Sequence, residues 1–400
     1  MSVTKTFSLL VFCCLLGGCV SQTVKSTSVP PLNTPLSSVP ESQLLDVGVA
    51  VFDPNIEQID EELPIYPEVR RAEARYMADQ LSGTLLESGA WGAVRVVPDT
   101  NQFTDLLVEG TILQSDGEKI ALAVEVTDAT GQRWIDKTYE GVTSKYAYER
   151  GTRSSQDPFL MVYREIANDM LLVFQSLSAR QRREVRTVAE LRFARNFAED
   201  AFADYLTTDK NGNFKITRLP AEDDPMLDRV RNIRNRQYIF VDTLQGYYDG
   251  FSADMQTPYQ EWRKLSYEEI VALRELQNES TAQLIAGGAA LIAGIAAQGS
   301  SNSAARSAGF IGMMGGGYLL KSGLEKRAEA NIHSLALEEI GQSLQAEITP
   351  RVIELEDRTV RLTGNVEDQY AQWREIMADI YAAEIGALDP RTPDSSSSSD

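Results

Sequence analysis

Apolar positions recur with changing periods along this chain, and each change marks an element. Val47–Phe52 is a continuous apolar run closed by Asp53-Pro54, the pattern of a short buried strand. Ala74, Met77, Ala78, Leu81, Leu85 and Leu86 then recur at three- and four-residue steps and predict a helix over Pro67–Glu87, ended by Ser88-Gly89. Ala93–Val97 reads as a second strand closed by Pro98. Leu106–Leu113, Lys119–Thr127 and Arg133–Val142 read as a meander that turns at Asp116-Gly117 and Thr130-Gly131. In its middle strand Ile120, Leu122, Val124 and Val126 hold every second position, so one face is buried and the other wet. Phe159, Val162, Ile166, Met170 and Phe174 line one stripe of a closing helix over Asp157–Leu177. The order β-α-β-β-β-α over residues 44–178 predicts a two-layer α/β sandwich within an α+β chain.

Past residue 178 the period is helical. Residues 179–280 form a heavily charged helical region, with Arg180, Arg182, Arg183, Arg186, Arg192 and Arg195 in one cluster and Arg229, Arg231, Arg234 and Arg236 in another. Such clusters are either solvated faces that pair with the many acids or contacts to anionic lipid headgroups, at about 1 kcal/mol per basic residue near a charged surface. Asp209–Phe214 imitates a calcium loop, but its Gly falls at position 4 instead of 6 and Pro220 stands where the loop needs Glu. It reads as a turn.

Residues 281–320 differ from their surroundings. Ala282–Ala297 carries no charge, and Ala282, Ala286, Ala290 and Gly294 recur every four residues on one helix face. After the polar turn Gln298–Ser303, Ala308, Gly312 and Gly316 repeat that spacing within Ser307–Leu320. Gly is about 1 kcal/mol less favourable than Ala inside a helix, so the five glycines of Gly309–Gly317 need a reason. Small residues at i, i+4 let two backbones approach closely. The pattern resembles a glycine-zipper helical hairpin, with Ala286, Ala290, Gly294, Gly312 and Gly316 as its packing or oligomerisation residues. Three arrangements fit: packing inside the protein or between subunits, insertion into a membrane as an oligomeric channel, or a flexible Gly-rich loop. Arms of about 24 and 21 Å fall short of the ~30 Å hydrocarbon core. Residues 321–388 then read as a helix over Leu324–Ile348 stopped by Pro350, followed by a small ββα subdomain. Its strands are Val352–Leu355 and Val360–Thr363, and its helix is Val366–Ile385, ended by Gly386. Val352–Leu355 with Thr359–Val366 resembles the BON domain, an envelope module proposed to bind phospholipid, without that module's last strand.

Asp105–Ile112 followed by Val124–Asp128, Gly131 and Trp134 resembles the periplasmic domain of curli-secretion-channel lipoproteins. Related α/β domains occur in the Tol–Pal propeller protein and in polysaccharide-export accessory lipoproteins. The resemblance covers about a third of the chain and implies the fold more than an activity. It places Asp128 and Gly131 in the turn and Trp134 in the core. No surplus long hairpin is present for a β-barrel pore of that type.

The first nineteen residues give an address. Lys5, the apolar run Phe7–Leu16 and then Leu16-Gly17-Gly18-Cys19 resemble a bacterial lipobox. The resemblance implies a signal peptide over residues 1–18, cleavage before Cys19, acylation of that cysteine and, with Val20 instead of Asp after it, sorting to the outer membrane with the chain facing the periplasm. Residues 19–43, rich in Ser, Thr and Pro, read as a disordered tether, and residues 389–400 as a disordered tail. All 3 Cys lie within this N-terminal stretch, so the processed chain has no thiol for a disulfide, a metal or a nucleophile. Loss of Lys5 would take the formal net charge from −20 to −21, which speaks against nucleic acid as a partner.

No catalytic residue stands out. The single His, His333, lies mid-helix and has no companion ligands, and the Gly-x-Ser-x-Gly, Ser-x-x-Lys, His-Glu-x-x-His and phosphate-loop motifs are absent. Neither a metal nor a cofactor is called for. The expectation is a non-enzymatic assembly or accessory factor in envelope structure or protein or polysaccharide export, with an export or envelope protein as partner and self-association through the hairpin. A cell-wall or glycan hydrolase using two of the 58 acids is the competing class.

Overall fold

The first apolar run forms strand β1, Val47–Ala50, with all four residues buried. It is followed by α1 (Pro67–Ser88), β2 (Val94–Val97), β3 (Leu106–Ser115), β4 (Lys119–Asp128), β5 (Arg133–Val142), α2 (Leu160–Ser176) and α3 (Ala179–Phe197). A computed structural model describes residues 29–57, 66–98, 104–148, 156–298 and 303–388. The strands make one mixed five-stranded sheet in the order β2-β1-β3-β4-β5. β1 runs parallel to β2 and β3, and β3, β4 and β5 form the antiparallel meander. A central strand flanked by parallel neighbours reads as an unbroken apolar run because neither face meets water.

Ile120, Leu122, Val124 and Val126 of β4 are all buried, as the alternation predicts. They meet a core to which α1 supplies Met77, Ala78, Leu81 and Leu85 and α2 supplies Val162, Ile166, Met170 and Phe174. α1 ends at Gly89, whose φ of 63° is the left-handed stop that glycine takes freely. α3 begins with a capping box, Ser178 and Gln181 exchanging hydrogen bonds. Asp128 takes the Thr130 N–H at 2.8 Å and the Trp134 Nε1–H at 2.8 Å, so one carboxylate holds both the turn and the ring.

A helical turn at Glu199–Phe202 and a two-stranded ribbon, β6 (Leu206–Thr208) and β7 (Phe214–Ile216), follow α3. The ribbon corrects the all-helical expectation for this stretch. The turn reading of Asp209–Phe214 stands, since Asp209 caps the Asn211 and Asn213 N–H groups itself at 2.8 and 3.0 Å.

Two long helices complete the chain: α4 (Pro225–Gln298, 74 residues) and α5 (Ser303–Leu388, 86 residues). At about 1.5 Å per residue they span roughly 110 and 130 Å. They run antiparallel, with Arg229 meeting Glu384 near one end and Ser280 meeting Gly323 toward the other. The expected boundaries at 280 and 320 therefore fall inside continuous helices.

The ββα subdomain is not formed either: Val352–Leu355 and Val360–Thr363 are helical, and Pro350 does not stop α5. A proline inside a helix is unfavourable by about 3 kcal/mol, partly through the carbonyl it leaves unbonded four residues back. Pro258 of α4 leaves the Asp254 carbonyl in that state, and Arg351, next to Pro350 on the opposite helix, donates to it at 2.7 Å. α5 thus serves the carbonyl that Pro258 frees in α4.

The tether is partly ordered. Leu32 and Val39 pack on the core, Asn168 of α2 bonds Asn33 N–H and the Pro31 carbonyl, and Arg164 donates to Pro30 O. Prolines have little backbone freedom to lose, so a few side-chain bonds hold the strip down. Cys19 and the tail 389–400 lie outside the described residues.

Val124 is 2 % exposed, and Glu125 on the other face pairs with Arg133. Val124→Asp should destabilise the sheet by several kcal/mol, while Glu125→Lys should stay within about 1 kcal/mol of wild type. Equal melting temperatures for wild type and both variants would show the register to be wrong.

Candidate functional site

The long hairpin is rooted on the α/β unit by a fully buried cluster. Arg263 of α4, 0 % exposed, donates to Asp157 Oδ2 at 2.8 Å and lies 4.0 Å over the Tyr259 ring and 4.9 Å from that of Phe159. Burial, the largest single influence, would lower the Arg263 pKa; Asp157 together with Tyr259, Tyr163 and Tyr76 outweighs it, raises the pKa and holds the guanidinium charged. Asp157 also accepts from Tyr76 of α1 at 3.0 Å and from the Phe159 N–H, just ahead of α2, at 2.8 Å. Beside it Tyr259 and Ser115 both donate to Glu73 Oε1 at 2.6 Å. Gly117, in the β3–β4 turn, sits so close to α4 that a Cβ there would collide with Arg263 O and Tyr267 N.

Among the described residues, hydrogen bonds and ion pairs tie the hairpin to the α/β unit as far as Arg274–Glu118 on α4 and Leu337–Tyr66 on α5. Residues 275–298 and 303–336 run on as an arm, about 36 Å long on the α4 side. Its inner seam keeps a seven-residue step. On α4 the step runs through the buried Ser266, Leu273, Ser280 and Gly287, with Ile270 also buried beside Leu273; on α5 it runs through Leu344, Leu337, Ala330, Gly323 and Gly316. A seven-residue step is the period of paired helices. On α5 the seam residues shrink steadily toward the tip, so the backbones close on each other there. A Cβ on Gly316 would lie 2.8 Å from Gly287 O and from Leu291 N, and one on Gly287 would lie 2.8 Å from Gly316 O and from Leu320 N. His333 joins the helices lower down, with Nδ1 2.5 Å from Glu269 Oε2.

The structure therefore places Gly316 in the seam, where close approach was expected. Within the chain Ala286 is exposed and Ala290 half-buried, and it is Gly287 that holds the contact with Gly316. An i, i+4 stripe drifts around a helix, whereas the true seam follows the heptad, and its Ser and Gly members carry no hydrophobic signal. The surroundings of Gly294 and Gly312 lie outside the described residues. The arm's outer side is apolar as well: Ile285, Ile292, Met314, Tyr318, Leu324 and Ile332 are exposed. Among the described residues no helix is long and apolar enough to cross a membrane.

The two arginine clusters meet in space. Arg186 of α3 and Arg231 and Arg234 of α4 wall a cleft of about 350 Å³, whose floor is Asp46 and Asp105, just ahead of β1 and β3. Burial raises the Asp105 pKa to about 6, against the lowering effect of the Asp46 N–H and the nearby arginines. Tyr238 lies with its ring between Arg95 at 4.8 Å and Arg234 at 5.4 Å, and burial pushes its pKa up to about 12. Among the described residues no three His, Cys, Asp or Glu side chains come together as a metal site.

No family model, no curated protein and no solved structure matches this chain.

Arg263→Met leaves Asp157 charged and unpaired in the core and should destabilise the protein by about 3–5 kcal/mol. Adding Asp157→Asn removes the charge while keeping an acceptor for Phe159 and Tyr76, and should restore more than half of the loss in urea unfolding. A double variant no more stable than the single one would show that this pair does not hold the root.

Proposed function

We propose that this protein is a lipid-anchored lipoprotein of the outer membrane, facing the periplasm, that works without catalysis as an assembly or accessory factor in envelope structure or export. The projecting arm is the observation that carries this reading. A helical pair needs one apolar seam to hold itself together, and this one has a seam inside and further apolar residues outside. Ile285 and Ile292 on that outer side are separated by the same seven residues as the inner seam, the spacing that suits packing against another helix. Exposed apolar surface of this kind marks contact with a partner.

Charge supports the same reading. Residues 281–320 carry Arg306 as their only charged residue in a chain of net charge −20. Copies of the chain repel one another over most of their surface, and the tip is where that repulsion is weakest. On this reading the glycine zipper, Gly287 against Gly316, closes the arm within one chain, and the outer side assembles arms with each other or with an export partner. The anchor rests on Lys5, the apolar run and Leu16-Gly17-Gly18-Cys19.

Cys19→Ala should leave an unacylated or unprocessed precursor; a variant of wild-type mass that still fractionates with outer membrane removes the anchor from the proposal. Ile285→Ser with Ile292→Ser should lower the mass by light scattering in detergent with little change in melting temperature. Gly316→Leu should instead lower the melting temperature, because close packing cannot absorb the added bulk. Unchanged mass in the serine variant would exclude assembly through this side of the arm.

A further inference from the structure

We infer that the outer side of the arm pairs with that of a second copy of this chain, α4 against α4 and antiparallel, about a two-fold axis at the level of Gly287. The inference rests on the reading of the arm as the side that assembles, and adds which partner it takes and in which direction. It does not depend on where the chain is anchored.

The surface that pairs is a second stripe on α4. Ala282, Ile285, Ala289 and Ile292 follow one another at steps of three, four and three, the spacing of a helix that packs on another helix. All four are exposed, Ile285 by 68 % and Ile292 by 71 %. At about 100° per residue the stripe lies across the helix from Gly287, whose own side meets Gly316 and Leu320 of α5. One face of α4 therefore closes the arm, and the opposite face repeats the same seven-residue step in the open.

The order of sizes selects the partner and the direction. Large and small residues alternate along the stripe. Two copies laid antiparallel about Gly287 bring Ile285 level with the partner's Ala289, and Ala282 level with the partner's Ile292. Every level then holds one large and one small side chain, and the helices stay evenly spaced. A parallel pair sets isoleucine on isoleucine and alanine on alanine. The isoleucines would hold the backbones apart and leave gaps at the alanines, where contacts are lost. A surface that complements itself under a two-fold is the kind that closed dimers use.

Charge selects the same arrangement. No residue from Thr281 to Ala305 is charged, so the two faces meet at their centre without setting acid against acid. The charged units go to opposite ends: Arg274, which bonds Glu118 of the α/β unit, stands about 39 Å along the axis from its counterpart. In a parallel pair two chains of net charge −20 would lie side by side. Within the arm Gly287 faces Gly316 and Ser280 faces Gly323, a step that puts Arg306 near the level of Ala297. The antiparallel pair sets that level within about one helical turn of the partner's Glu275, which is exposed and seven residues before Ala282. The one cation of each tip thus comes level with an acid of the other copy.

The test is cross-linking of the full chain in an uncharged detergent, with micelles in large excess over protein. The chain's own cysteines are confined to its first nineteen residues, so an added cysteine reports its own position, and wild type gives the background. Ala282→Cys and Ala293→Cys change exposed alanines and keep both isoleucines. Along the axis of the antiparallel pair, position 282 lies within about one residue of the partner's position 293, whereas each lies about 15–18 Å from its own counterpart. A short bismaleimide should therefore link the two variants when they are co-expressed and neither variant alone. Ile285→Ser with Ile292→Ser, added to both chains, should abolish the link and halve the mass. Melting curves and light scattering confirm that each cysteine variant has the fold and mass of wild type. Links within each variant alone show a parallel pair, which overturns the inference while the arm remains the assembling side. A serine variant of unchanged mass overturns both. Wild type of single-chain mass, with no link in any sample, overturns self-pairing and leaves this side of the arm to an export protein or to lipid.

Discussion

The contact between Arg263 and Asp157 determines how the two halves of this chain meet. Asp157 lies just ahead of α2 and holds the Phe159 N–H, bonds Tyr76 of α1 and pairs with Arg263 of α4, so one carboxylate joins three helices distant in sequence. Taking both charges out of water is expensive, and a buried pair seldom stabilises more than well-packed apolar residues would. What it does enforce is register. A guanidinium with 0 % exposure has one acceptable position, and a slip of α4 by a single turn would leave two charges unmatched. The order of contacts along the hairpin, from Arg95–Asp242 to Arg274–Glu118, is indexed from that point.

The sheet was legible because its signals are local. Ile120, Leu122, Val124 and Val126 alternate within one strand, and Asp116-Gly117 and Thr130-Gly131 mark turns by backbone chemistry alone. The hairpin was not, because its signals are distributed over two helices. Pro350 looks like a stop, yet the helix runs through it, and its neighbour Arg351 serves a carbonyl freed by Pro258 on the other helix. Val352–Leu355 looks like a strand because β-branched residues favour strands in isolation, and packing against α4 overrides that preference. Most of the seam escaped for a further reason: Ser266, Ser280, Gly287 and Gly323 are small or polar, so a search for hydrophobic stripes passes over them.

The arginine cleft was half legible. Both clusters are visible in the sequence, and both read most simply as solvated helix faces. Arg231 with Glu190 bears out that plain reading, as does Arg229 with Glu384. That Arg186 and Arg234 share one buried carboxylate follows only from the antiparallel fold-back that lays α4 beside α3. Tertiary placement, with no change in residue type, separates the arginines that merely solubilise from those that shape a cavity.

Gly117 has a consequence beyond its own turn. The arm extends about 36 Å past Arg274, so rotation at its base is amplified as by a lever: ten degrees of tilt would sweep the tip through about 6 Å. Across a helix about 10 Å wide, the same tilt displaces the base by nearly 2 Å, which a close-packed contact does not absorb. With Arg263 O and Tyr267 N in the space a Cβ would fill, Gly117 blocks tilt toward the sheet. The residue with the smallest side chain in the root therefore sets where the most distant part of the molecule points.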